Sequence, residues 1–105
     1  MMLREPTWDI DVDDDGHTLA VRPSGELDLS TSPELVSAFG KAGGQTHLLC
    51  DLSGVTFIDS SGIRALIEIG QREPDRFALS GASEPVERLL ELTGVAGWFR
   101  RTPAD

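Results

Sequence analysis

Residues 7–12 (TWDIDV) alternate strictly between apolar and polar side chains: Trp8, Ile10 and Val12 fall to one side, Asp9 and Asp11 to the other. That is the period of a half-buried strand. Asp13-Asp14-Asp15-Gly16 reads as a turn, and residues 17–22 alternate again with Leu19 and Val21 on one face. Two alternating runs about an Asp/Gly turn predict a β-hairpin. The period then lengthens. Ser32 stands as an N-cap, Pro33 at the first helical position and Glu34 in the first turn. Leu35, Ala38, Phe39 and Ala42 follow at i, i+3, i+4 and i+7, which makes one apolar helical stripe ended by Gly43-Gly44.

Residues 47–52 (HLLCDL) are nearly continuous in apolar side chains, as in a strand covered on both faces. A strand-like run, 53–58, leads into Asp59-Ser60-Ser61-Gly62, and a second helix is predicted from about Ser61 to Gln71. Ile63, Leu66, Ile67 and Gly70 mark its packed face, and Arg64, Glu68, Gln71 and Arg72 its wet one. Glu68 and Arg72 stand in the favourable i, i+4 order. Glu73-Pro74-Asp75 breaks the helix, and 76–80 offers a short strand. Pro85 opens a third helix with the stripe Val86, Leu89, Leu90 and Thr93, closed by Gly94, and Trp98-Phe99 form a last strand or packing segment. The order ββαβαβα(β) predicts an α/β fold, in which each strand–helix–strand unit is a parallel pair joined by a right-handed crossover. A small mixed sheet with helices mainly on one face is expected.

With 105 residues the chain is read as one domain, 1–105, with a core over about 8–100. Charge excludes more than size does. Nine Lys plus Arg against 18 Asp plus Glu leaves −9, and such a surface repels phosphate backbones and anionic lipid head groups. Neither a nucleic-acid nor a membrane partner is expected. No apolar run approaches the roughly 18 to 20 residues of a membrane helix, and the first residues lack the basic-then-apolar pattern of a secretory signal. The single cysteine, Cys50, allows no internal disulfide and no cysteine-based zinc cage, and its apolar run marks it as an inert core residue. A cytoplasmic protein is expected.

Most candidate chemistry fails on spacing. Asp11-x-Asp13-x-Asp15-Gly16 opens like a calcium loop, but Arg22 stands where the bidentate Glu belongs, and both flanks read as strands. His17 and His47 lie on separate predicted strands without metal-ligand spacing, and each reads as an ordinary surface or sheet residue. There is no G-x-S-x-G elbow, P-loop or G-x-G-x-x-G run. No acid–base or nucleophile–base pair stands out, so neither an enzyme nor a cofactor is expected. What remains is Asp59-Ser60-Ser61-Gly62 at a helix start. Asp and Ser there are good caps and need no further role. The same spot suits a switch, because unpaired amides at a helix N-terminus hold a phosphate, and phosphorylation adds about −1.5 to −2 charges.

Gly25-Glu26-Leu27-Asp28, Ser32-Pro33-Glu34-Leu35 and the run from Asp51 to Gly62 (DLSGVTFIDSSG) resemble the STAS domain, and within it the bacterial anti-sigma factor antagonists. Glu84-Pro85-Val86 and Leu92-Thr93-Gly94 are similar to the family's third helix and its end. The resemblance implies a binding module of transcription regulation and stress response. In such proteins the dephosphorylated form captures an anti-sigma factor serine kinase and so releases the sigma factor. The kinase phosphorylates a serine of the D-S-S-G element, and a PP2C-type phosphatase reverses this. Carried over, the phosphoacceptor is Ser60, with Ser61 the second choice. Asp59, Ser61 and Gly62 are its surroundings, with Gly62 allowing close approach of the kinase backbone. Asp28, Arg64 and Glu68 join the partner surface, the last two one turn apart on the exposed helix face. The alternative is a STAS subunit that docks on a lipid-transport ABC ATPase without phosphorylation. Arg64 stands where the family more often has a small or apolar residue, and the segment 71–76 is shorter than usual.

Overall fold

The computed structural model describes residues 8–102, so Thr7 of the first alternating run lies outside the described residues. The hairpin forms as β1 (Trp8–Asp14) and β2 (Thr18–Leu27), antiparallel, with Val12 opposite Val21 and Ile10 opposite Pro23. After it come α1 (Ser32–Gly40), β3 (His47–Asp51), β4 (Gly54–Ile58), α2 (Ser60–Arg72), β5 (Phe77–Ser80), α3 (Glu84–Leu92), a single 3-10 turn over Ala96–Trp98, and β6 (Arg100–Arg101). The sheet runs β1-β2-β3-β5-β6, with β4 also paired to β2. Every pairing other than the hairpin is parallel.

Two features depart from the expected element order. β2 continues through Pro23 for five residues beyond the hairpin pattern, to Leu27. On that side of β2, residues 18–21 pair with β3 and residues 24–27 with β4, so Pro23 falls in the gap, where no ladder bond needs its missing N–H. The run 53–58 is a strand of its own rather than a lead into the helix. Ser53 and Gly54 step the chain from beside β5 to the far half of β2. At Gly54 a Cβ would sit 2.5 Å from the Ser24 hydroxyl oxygen and 3.0 Å from the Pro23 carbonyl oxygen, so only glycine fits the step.

One core fills the covered face. Val21, Leu48, Cys50 and Leu79 of the sheet are fully buried against Leu35 and Phe39 of α1, Leu66 and Ile69 of α2, and Leu90 of α3. The Phe39 and Phe77 rings meet edge to face at 5.2 Å. On α2 the buried face is Ile63, Ala65, Leu66 and Ile69, while Ile67 and Gly70 are half-buried. Thr93, expected on the α3 stripe, is exposed and turns its hydroxyl back to donate to the Leu89 carbonyl at 2.9 Å. The opposite face of the sheet stays open. It carries Asp9, Asp11 and Asp13 of β1 beside Arg22, whose guanidinium pairs with Asp51 of β3 at 2.9 Å. The acidic hairpin is thus a solvated turn, and Arg22 is committed to the sheet.

Candidate functional site

The parallel pairing of β2 and β4 ends with Leu27 level with Ile58, so Asp28 and Asp59 leave adjacent strand ends side by side. Carboxyl ends of parallel strands are where such sheets place their sites. Asp59 is the N-cap of α2: its Oδ1 accepts from the amides of Ser61 at 2.9 Å and Gly62 at 3.1 Å. Its own amide donates to the Leu27 carbonyl at 3.3 Å. Three of the four amides that a helix start leaves unpaired are therefore engaged. Of the groups the sequence offered as a phosphate cradle, the Ser61 and Gly62 amides are already held by Asp59, so a phosphate cannot settle on them without displacing that carboxylate.

Ser60, the first residue of α2, is exposed. With Asp59 carrying out the capping, its hydroxyl is not needed for that purpose. Ser61 is half-buried and lines a groove of about 430 Å³ between α1 and α2, with Leu29, Val36, Arg64, Ala65 and Glu68 among its walls. Arg64 is exposed at its rim, whereas Glu68 is held by Arg72 at 3.0 Å, the pairing its spacing predicts. Gly62 has a packing role within the fold. It is buried, and a Cβ there would lie 2.6 Å from the Leu27 carbonyl oxygen and 2.7 Å from Ile58 Cγ1. Its missing side chain lets α2 seat on β2 and β4.

Asp28 is half-buried and braces the loop into α1. Its Oδ1 accepts from the Ser30 hydroxyl at 2.9 Å, the Ser30 amide at 3.0 Å and the Thr31 amide at 3.2 Å. The Ser30 hydroxyl leads in holding this carboxyl below the usual carboxylate range. Thr31, not Ser32, is the N-cap of α1, and its side chain makes no capping hydrogen bond. Ser32 is buried, with its hydroxyl donating to the Asp28 carbonyl at 2.5 Å. Cys50 is fully buried, and that burial pushes its thiol pKa far up, in keeping with an inert core residue.

A family model described as the STAS domain matches residues 9–104. The chain belongs to the STAS domain family. An anti-sigma factor antagonist from Mycobacterium paratuberculosis is 30% identical to it, with 97% of this chain and 92% of that one covered and a TM-score of 0.82. The Bacillus cell fate determinant SpoIIAA, solved in its phosphorylated form, shares the fold at 19% identity, with 92% of each chain covered and a TM-score of 0.69. So does part of the murine anion transporter Slc26a9, at 22% identity and a TM-score of 0.70, with 84% of this chain and 16% of the transporter covered. No helix among the described residues of this STAS domain is long and apolar enough to cross a membrane.

Two things in this STAS domain were not singled out in the sequence. Leu29, in the loop before α1, is 77% exposed at the groove. A leucine between Asp28 and Ser30 is the signal that points to it. His17 and His47 stand with ring centroids 5.1 Å apart, a contact made by the register of β2 with β3 that no local pattern announces.

Proposed function

We propose that this STAS domain is an anti-sigma factor antagonist, switched by phosphorylation of Ser60. Its unphosphorylated form binds an anti-sigma serine kinase and releases the sigma factor. The observation that carries this reading is an exposed serine placed directly after an aspartate that already caps the helix. The hydroxyl is presented on a rigid element, and modifying it breaks no bond that holds the fold. In the transfer, Ser60 Oγ forms a bond to the γ-phosphorus of ATP on the kinase. The bond to the ADP oxygen breaks, ADP departs, and the hydroxyl proton passes to a base on the kinase. A PP2C-type phosphatase returns the serine by hydrolysis. The chain itself acts as substrate and ligand, not as catalyst.

Charge decides the switch. Losing one surface hydroxyl contact is worth about 0.5–1.5 kcal/mol. A phosphate of about −1.5 to −2 charges, some 4 Å from partner groups of like sign, is worth several kcal/mol at a surface dielectric near 20. With Asp59 holding the neighbouring amides and Asp28 beside it, the new charge adds to an already anionic corner. The groove between α1 and α2 and the exposed Arg64 extend the docking surface.

The test is incubation with the kinase and ATP followed by peptide mass spectrometry. Phosphate at Ser60 is expected; phosphate only outside residues 59–62 would overturn the reading. Ser60→Ala should bind and resist modification, and Ser60→Asp should bind more weakly. Partner binding that ignores phosphorylation altogether favours docking on a transporter ATPase instead.

A further inference from the structure

We infer that His17 and His47 form a binding site for a divalent transition-metal ion at the opposite end of the sheet from Ser60. His17 immediately precedes β2 and His47 opens β3, so both lie at the amino end of β2, whose carboxyl end lies beside β4 and the serine site. Their backbones are fixed to one another: the Thr46 amide donates to the His17 carbonyl at 2.8 Å and the His47 amide to the same oxygen at 3.1 Å. Both side chains are exposed, and the two rings meet at 5.1 Å between centroids with 79° between their planes.

That separation matches shared coordination. Two imidazoles on one tetrahedral ion, with metal–nitrogen bonds of about 2.0–2.1 Å about 109° apart, place their ring centroids roughly 5.2 Å from one another. Only side-chain rotation is then needed to turn one nitrogen of each ring onto the ion. The surroundings favour a cation. Asp15 lies beside His17, its Oδ1 accepting from the His17 amide at 2.8 Å and the Thr18 amide at 2.7 Å. Asp14 is fixed by the Gln45 side chain at 2.9 Å. The nearby cation, Arg76, is turned away into Glu73 and the carbonyls of Gly43 and Gln45. Among the described residues no third His, Cys, Asp or Glu completes a cage, so an ion bound there would take its remaining ligands from solvent; imidazole pairs suit Cu²⁺, Ni²⁺ or Zn²⁺.

The experiment is calorimetric titration of the tag-free chain with CuCl₂ and with ZnCl₂ at pH 7.5. One ion per chain is expected, Cu²⁺ tighter than Zn²⁺, with at least about tenfold weaker binding in His17→Gln and in His47→Gln. Binding that is absent, or that persists unchanged in the His17→Gln/His47→Gln double variant, overturns the assignment. Both histidines are surface residues outside the serine site, so neither outcome bears on the role of Ser60.

Discussion

Ser32 and Ser60 occupy equivalent places, each the first residue of a helix just past the end of a parallel-paired strand, yet they have opposite fates. Ser32 is buried, and its hydroxyl ties α1 to the Asp28 carbonyl. Ser60 is exposed, because Asp59 has taken the capping bonds that a serine would otherwise make. The two loops differ in where the aspartate stands. Asp28 lies four residues ahead of Ser32 and is engaged by Ser30 and Thr31, while Asp59 lies directly ahead of Ser60 and reaches over it to Ser61 and Gly62. A serine freed from structural duty in this way can be modified without loss of fold.

The sharpest way to break that comparison is to put a carboxylate at each serine. Ser32→Asp buries a charge among apolar neighbours and removes a hydrogen bond, and should lower stability by about 3 kcal/mol or more in urea denaturation. Ser60→Asp should change it by less than about 0.5 kcal/mol, since an acid at a helix start is tolerated or welcome. Equal losses would show that Ser60 is as structural as Ser32. Next in size is Gly62→Ala. Its methyl would meet the Leu27 carbonyl and Ile58, and overpacking of this kind costs about 1–3 kcal/mol. A neutral result would show that the seating of α2 on β2 and β4 does not need the bare backbone at Gly62. Asp59→Ala follows, with an expected loss of about 1 kcal/mol for a helix cap. It frees the Ser61 and Gly62 amides, and by the same logic a phosphate on Ser60 should then stabilise the variant more than the parent chain.

The smallest expected effect is with pH. The Ser30 hydroxyl holds the Asp28 carboxyl down, and Arg101, bonded at 2.6 and 2.7 Å, holds Glu87 down. Both folded-state values lie below the unfolded ones, so the unfolded chain binds more protons. The contribution is complete above the unfolded carboxylate range and is lost as pH falls through the folded values, below about pH 4. Denaturation midpoints measured from pH 5 down to pH 3 should decline, and Glu87→Gln should flatten that decline.

Periodic segments were legible because their neighbours in sequence are their neighbours in space. The hairpin, the three helices and the Glu68–Arg72 pair follow from spacing alone. β4 was not separable from the approach to α2, since what makes it a strand is pairing with the distant half of β2. Pro23 disguised that half, because a proline inside a strand is excused only by a gap in the ladder that tertiary structure creates. At the site, the D-S-S-G element could be placed at a helix start, while the choice of Ser60 over Ser61 came only with the resemblance. Which glycine faces inward and which imidazoles meet are decided by register between strands, and no local pattern carries that information.

The central claim is tested most directly by measuring the affinity of the anti-sigma kinase for this domain with Ser60 free and with Ser60 stoichiometrically phosphorylated, at one ionic strength. The account predicts at least about tenfold weaker binding of the phosphorylated form, with its circular dichroism and thermal midpoint close to those of the free form. Equal affinities for the two forms, or a weakening that comes with loss of the fold, would contradict it.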